Sequence, residues 1–534
     1  MNQAATAAAN PPASAPPTAI PWLGITAVLL GTFISTLTGR LSNFGLADIR
    51  GGVHAGFDDG AWITTAQTAA QMLITPFSVW AGSVYGPRQV LLIACSVFAV
   101  ASLILPWSPN LPTLLALQFI TGLGSGCFIP LTLSFILMRM PPKLWTYGVA
   151  LYALNIELSL NISASLEGWY VEHASWRWIF WQNVPLAVAM AACLHFGVRM
   201  YPRQEVGRVD VFGLTTSGLG LALLYAALDQ GNRVDWLHSG LIWGLMLAGV
   251  VILVAFYIHA LTCAHSWIDI RAAFRFPLPL LLLLVSLLRL SILTTAFLIP
   301  QYLTSIRGFR ALQVGDTLIW LALPQILNCP LAGFALRFVD PRFGAGIGMI
   351  GIGCAGLMVA HTLTALWGSD QFLLSQLIQA VGQSLALTGV VYSTVLNLTV
   401  ANALTFGAMI QTARLFGGEV GTAFIATFQR IREQRASNLL GLHVQVGAHQ
   451  VVERLEVYGR VVARHGHFDG HSAAATELLG SSVRSAATLQ SIADGFMVLP
   501  VVAGIALACL ALLTIPPRQP APGTAPDSRP SGGS

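Results

Sequence analysis

From Trp22 to Leu513 the chain keeps returning to long apolar runs, of which GLIWGLMLAGVVILVAFYIHALT, Gly240 to Thr262, is the plainest. About 20 such residues in a helix, rising about 1.5 Å each, cover roughly 30 Å of hydrocarbon. In lipid each backbone N–H and C=O must find its partner within the segment, so runs this long cross as helices rather than barrel strands. A mean hydropathy of +0.70, with 55% hydrophobic and 9% charged residues, excludes a string of water-soluble domains. The expectation is an all-α membrane protein.

Fourteen spans are expected, near 21–45, 60–82, 89–107, 111–138, 146–170, 178–199, 211–228, 238–262, 277–304, 314–336, 344–366, 371–396, 404–428 and 493–515. The opening MNQAATAAANPPASAPPTAI lacks a basic n-region, which argues against a cleaved signal peptide. Residues 1–20 and 517–534 read as disordered cytoplasmic tails. The seven cysteines show no CxxC or regular spacing, so neither a disulfide framework nor a zinc site is indicated. Lys143 is the only lysine, and with abundant Ala and Gly this suggests a GC-rich bacterial genome.

With the N-terminus inside, the inner loops and tail hold Arg88, Arg139, Lys143, Arg199, Arg203, Arg208, Arg271, Arg275, Arg337, Arg342, Arg518 and Arg529. The short outer loops hold only Arg50, Arg177, Arg233, Arg307 and Arg310. That bias places both termini in the cytoplasm and the long polar segment 430–492 outside. The chain also echoes itself eight spans apart: YGPR after the second span pairs with VDPR after the tenth, and ALQFITGLGSG in the fourth with LSQLIQAVGQS in the twelfth.

These features resemble the major facilitator superfamily, and within it the fourteen-helix EmrB/QacA type of drug and proton antiporter. WRWIFWQNVP (Trp176 to Pro185), LDQGNRVDW (Leu228 to Trp236), GLGSGCFIP (Gly122 to Pro130) and RLFGGEVGTA (Arg414 to Ala423) carry the resemblance. It implies a major facilitator fold of two six-helix halves, 21–200 and 277–516, with two inserted helices in 201–276. It also departs from the pattern. Thr38 stands where helix one of the family has an acid, Gln118 where helix four has an arginine, and Ser83 where the first inner-loop motif has an acid. SASLEG replaces the antiporter motif of helix five, putting Glu167 at a glycine position, and Glu419 stands where a small residue is usual in helix thirteen.

An ionisable residue near the bilayer centre costs about 2.5–3.5 kcal/mol on insertion scales and so faces a cavity or a partner. Glu157 on helix five, Arg289 on helix nine, and Arg414 and Glu419 on helix thirteen are deep; Arg40 and Glu167 lie nearer the outer ends of helices one and five. Helices one and nine, and five and thirteen, are repeat mates under the resemblance, which also implies that they line a central cavity. Glu157 and Glu167, ten residues apart, then share one broad cavity wall. Glu157, Glu419 and Glu167 are the expected proton-coupling residues; each also has a plainer reading, as a buried ion pair or a residue wetting a helix end. Arg40, Arg289 and Arg414, with Asn43, Gln301 and Gln411 as hydrogen-bonding groups, are the expected substrate contacts; for Arg414 a structural contact is an equal alternative. His361 reads as a packed or interfacial histidine. Gly86, Arg88, Asp340 and Arg342 of the paired turns read as a cytoplasmic gate that caps a helix end across the interface of the halves, or simply as positive-inside charge.

The external segment contains RHGHFDGH, whose spacing matches no strong metal motif, and VVERLEVYGRVVARH, whose apolar spacing suits a helix presented to a partner. Similar transporters in two-membrane bacteria work with a periplasmic adaptor, so 430–492 is its expected docking site. The sequence shows no nucleotide loop, no HExxH and no basic patch for nucleic acid. The resulting expectation is a proton-coupled exporter of amphipathic or aromatic compounds in a bacterial inner membrane. It works by alternating access, needs no cofactor beyond the proton gradient, and leans to anions because of Arg40 and Arg289. An organic-acid facilitator or importer remains the alternative, and a membrane enzyme or lipid-handling protein the alternative from another class.

Overall fold

The computed structural model describes residues 22–141, 144–198, 209–263, 265–397, 403–445, 447–465 and 471–513. Both tails, Lys143, Arg199, Arg203, Arg208, Arg518 and Arg529, and His467 and Asp469 of the histidine-rich stretch lie outside them.

The secondary structure described is helical throughout. The long elements are α1 (Trp22–Phe44), α2 (Trp62–Tyr85), α3 (Pro87–Ile104), α4 (Leu111–Gly126, continued by Phe128–Arg139), α5 (Trp145–Asn161, continued by Ser163–His173), α6 (Asn183–Gly197), α7 (Val211–Gly231) and α8 (Gly240–Thr262). They continue with α9 (Leu278–Ser305), α10 (Ala311–Ala335), α11 (Pro341–Thr362), α12 (Ser369–Leu396), α13 (Ala403–Gly441), α14 (His449–His465) and α15 (His471–Phe496, continued by Val498–Leu512). Start signals are local: Asn110 caps α4 through the Thr113 N–H at 3.0 Å, Asp210 caps α7 through Gly213 at 2.8 Å, and Asp340 caps α11 through Arg342 at 2.9 Å.

Among the described residues twelve helices are long and apolar enough to cross a membrane. Two expected spans fall short of that measure, α2 and α13. Both carry polar residues turned inward: Thr65, Gln67, Gln71 and Thr75 on α2 are buried, as are Gln411, Arg414 and Glu419 on α13. Apolarity is diluted where a helix faces a polar interior rather than lipid. By contrast α8, the most apolar run, is almost wholly on the outside.

Two helix pairs cross closely in a similar way. A side chain at Gly124 of α4 would meet the Ala94 carbonyl of α3 at 2.9 Å; one at Gly382 of α12 would meet the Gly348 carbonyl of α11 at 2.9 Å. The contact of α5 with α10 has its counterpart in that of α13 with α2. At the first crossing, methyl groups added at Gly168 and Gly315 would each come within 2.6 Å of the opposing backbone, at Leu312 and Ser165. Inserted helix α7 packs on both α2 and α13, so it borders the interior rather than standing apart. Most of the described residues of 430–492 are helical: α13 runs unbroken into the segment as far as Gly441, and α14 packs on α15.

Candidate functional site, a charged central cavity

A cavity of about 580 Å³ lies between α1, α2, α7, α9 and α13. It widens toward the end of the bundle where α1 and α9 finish, with Asn43 and Thr304 at its exposed rim. Arg40, Asn43, Arg289, Gln301, Arg414 and Glu419, six of the residues expected from the sequence, line it together.

The three arginines come from three helices. Arg289 is 8% and Arg414 5% exposed. Arg414 donates to Thr36 Oγ1 and Gln411 Oε1, each at 3.0 Å, which ties α13 to α1 and makes Gln411 a supporting rather than a lining residue. Arg40 lies over the Phe44 ring at 4.8 Å. Among the described residues the buried Nε of all three lacks a hydrogen-bond partner, and none of the three forms a salt bridge to a carboxylate. Arg289 sits within electrostatic reach of Arg40 and Arg414, and also of Glu157 on α5. Buried cations gathered with no carboxylate in contact attract negative charge.

The same cavity has an acidic region that sequence reasoning missed in part. Asp229 and Tyr225 of α7 line the cavity beside Glu419. The Tyr225 hydroxyl is a hydrogen-bond neighbour of the Glu419 carboxyl, and the two acids lie within electrostatic reach of each other. Asp229 accepts hydrogen bonds from Thr65 Oγ1 and from Gln230 Nε2, the latter at 3.1 Å; Gln230 also donates to Thr65 at 2.6 Å. The rest of LDQGNRVDW is structural. Arg233 pairs with Asp58 at 2.6 Å, Asp235 with Arg430 at 3.0 Å, and the Trp236 indole donates to Thr427 at 3.0 Å, fastening the α7–α8 turn to α2 and α13.

Glu157 and Glu167 do not share a cavity wall. The break at Ile162 divides α5 between them, and neither lines the cavity. Glu157, 1% exposed, sits in the contact of α5 with α10 and α12, where Cys329 Sγ and Ser384 Oγ approach its Oε2 at 3.6 and 3.3 Å and its Oε1 has no partner. One turn on, Asn161 donates to Gln325 at 3.0 Å and Gln383 at 3.3 Å, and Gln383 donates to Gln379 at 3.2 Å. Glu167 is buried against the turn at Gly45 beyond the end of α1.

The paired turns do cap helix ends, but not across the halves. Gly86 takes the left-handed φ of 81° that an ordinary side chain resists, and lets Arg88 donate to the His195 carbonyl at the end of α6, at 2.9 Å. Arg342, held by Asp340 at 2.8 Å, donates to the Leu513 carbonyl just past α15, at 2.6 Å. Each arginine thus caps the end of a helix, α6 or α15, the position to which a guanidinium is drawn by free carbonyls. No metal-binding cluster is found among the described residues, and the side chains of the RHGHFDGH stretch lie outside them.

The sequence profile of the Major Facilitator Superfamily matches residues 28–422. The chain belongs to this superfamily. It is a membrane transporter of that family, whose members are not enzymes. Within it the similarity is to the EmrB/QacA type. The multidrug export protein EmrB of Haemophilus influenzae is 27% identical over 415 residues, 75% of this chain and 79% of the relative. The probable multidrug resistance protein EmrY of Escherichia coli is 25% identical over 77% of this chain and 81% of its own. The fatty acid resistance protein FarB of Neisseria gonorrhoeae is 23% identical over 76% and 80%. Among solved structures, the human organic anion transporter MFSD10 superposes with a TM-score of 0.56 at 12% identity, covering 94% of this chain and all of that one, which shows the shared fold.

Proposed function

We propose that the chain is a proton-coupled exporter of amphipathic or aromatic organic compounds, with fourteen membrane-spanning helices, both ends cytoplasmic, in a bacterial inner membrane. The observation that carries this reading is a cavity whose wall holds two carboxylates, Asp229 and Glu419, together with three arginines that form no salt bridge among the described residues. Names such as multidrug export protein among its relatives support an export role.

The cycle is alternating access. With the termini taken as cytoplasmic, the open end of the cavity is the external one, so Glu419 meets external protons while Glu157 is shut within the α5–α10–α12 contact. Rocking of the halves closes the cavity and opens that contact, exchanging the two environments. Arg40, Arg289 and Arg414, with Asn43, Gln301 and Gln411, hold the substrate; Glu419 carries the proton, and Glu157 and Glu167 respond to closure. The turns with Gly86, Arg88, Asp340 and Arg342 stiffen the inner ends of the halves. The α14–α15 hairpin, with Val452, Val457 and Val461 exposed along α14, offers a face to a periplasmic adaptor.

The test is transport in inverted vesicles with an imposed pH gradient, across cationic, neutral and anionic aromatic compounds. Compound-dependent collapse of the gradient is expected; no collapse with any class would overturn the antiport reading. The unpaired arginines favour one second reading, a facilitator or importer of organic acids. It predicts instead that anions and protons enter the vesicle lumen together.

A further inference from the structure

The charge layout of the cavity constrains its substrate. Affinities of two ligands are linked reciprocally: if protons weaken substrate binding, substrate must weaken proton binding by the same factor. An anion seated on Arg40, Arg289 and Arg414 is helped when the neighbouring acids are protonated, so anion and proton bind together, which is the thermodynamics of cotransport. A cation seated on Asp229 and Glu419 competes with their protons, which is the thermodynamics of exchange. No salt bridge joins the acids to the arginines, so among the described residues each set stands ready for its own partner. Phe44, Phe297, Leu293 and Leu415 supply apolar wall in the same 580 Å³ cavity, a volume suited to a drug-sized aromatic body.

We propose that the cavity takes amphoteric aromatic compounds, whose ammonium group displaces protons from Asp229 and Glu419 and whose acidic group meets Arg40, Arg289 and Arg414. The inference rests on the antiport reading above and deepens it, making the inserted helix α7 part of the exchange site through Asp229. The ammonium keeps its own proton; the carboxyl protons pass to the external water at the cavity mouth. Besides each other, the titratable and charged groups near the two acids are Tyr225 and Arg233 on α7, Arg289 on α9, Arg40 on α1 and Arg414 on α13.

The full-length chain in lipid nanodiscs is titrated calorimetrically with 2-naphthoic acid, 2-(aminomethyl)naphthalene and 2-naphthylalanine, in buffers of different ionisation enthalpy so that protons are counted. Naphthylalanine is expected to bind at least about tenfold tighter than either singly charged probe, and to release a proton. Its affinity then rises about tenfold per pH unit, the linkage slope for one proton. Asp229→Asn is expected to reduce that release while naphthoic acid still binds, which shows the variant folded; Asp229→Glu restores release. Equal affinity for all three probes, absence of proton release, release unchanged in Asp229→Asn, or failure of naphthylalanine to bind would each overturn the amphoteric assignment. Collapse of the vesicle pH gradient by other compounds would then leave the antiport reading standing, whereas loss of both would sink the two together.

Discussion

Two regions of this molecule bury carboxylates, and they do so in opposite ways. Around Glu419 the helices stand apart, leaving a cavity in which Asp229, Tyr225 and three arginines face open space. Around Glu157 they close tightly, with Cys329 and Ser384 at one carboxyl oxygen and a chain of amides one turn away. A charged side chain deep in a membrane therefore has two ways to be tolerated, and only the one bordering a void can meet a substrate.

That contrast is open to attack. The largest effect is expected from Glu419→Gln, which removes the cavity acid and should lower compound-driven proton movement in vesicles by about a hundredfold or more, the scale of losing a positioned proton carrier. Next, Arg289→Ala and Arg414→Ala should weaken binding of compounds with an acidic group by about ten- to a hundredfold, corresponding to about 1.5–3 kcal/mol for a charged hydrogen bond; binding isotherms check this, and a purely cationic probe should be spared. In the packed region, Gly315→Leu forces α10 away from Ser165 and should cost about 1–3 kcal/mol. It should be seen as a lowered unfolding midpoint, whereas the same measurement on cavity-rim Asn43→Ala should barely move. Ser165→Ala removes only the 2.7 Å bond to the Gly315 carbonyl and should cost about 0.5–1.5 kcal/mol.

The smallest effect concerns the inserted pair α7 and α8, joined at one end by His259 and Asp210 at 2.7 Å. Burial works against the charged Asp210, but hydrogen bonds from the Gly213 N–H, His259 and the Trp267 N–H outweigh it and hold its carboxyl below the ordinary aspartate range. Its stabilisation is therefore complete above the unfolded value of about 3.9 and is lost as pH falls through the lower folded value. Melting curves of wild type and Asp210→Asn should differ at neutral pH and converge in acid.

The spans were legible because apolar length is a crude and strong signal, and α2 and α13 fall short of it because their inward faces are polar. Depth along a span sufficed to pick out Arg289, Arg414 and Glu419. It did not say which way a helix faces, and so Glu157 was expected on a cavity wall it does not border. Asp229 was missed for a different reason. It sits near the end of an inserted helix, inside LDQGNRVDW, where it resembled a family marker rather than a buried charge. Its role depends on α7 packing between α2 and α13, a tertiary fact that hydropathy does not encode. Arg88 and Arg342 were read from the paired turns, and their partners, the His195 and Leu513 carbonyls, lie far along the chain where sequence spacing does not point.

The measurement that bears most directly on the contrast is proton release from inverted vesicles on adding an amphoteric aromatic compound, with wild type and Glu419→Gln compared at equal protein content. The account predicts rapid collapse of the pH gradient in wild type and a background trace in Glu419→Gln. A Glu419→Gln variant that collapses the gradient as fast as wild type would contradict it.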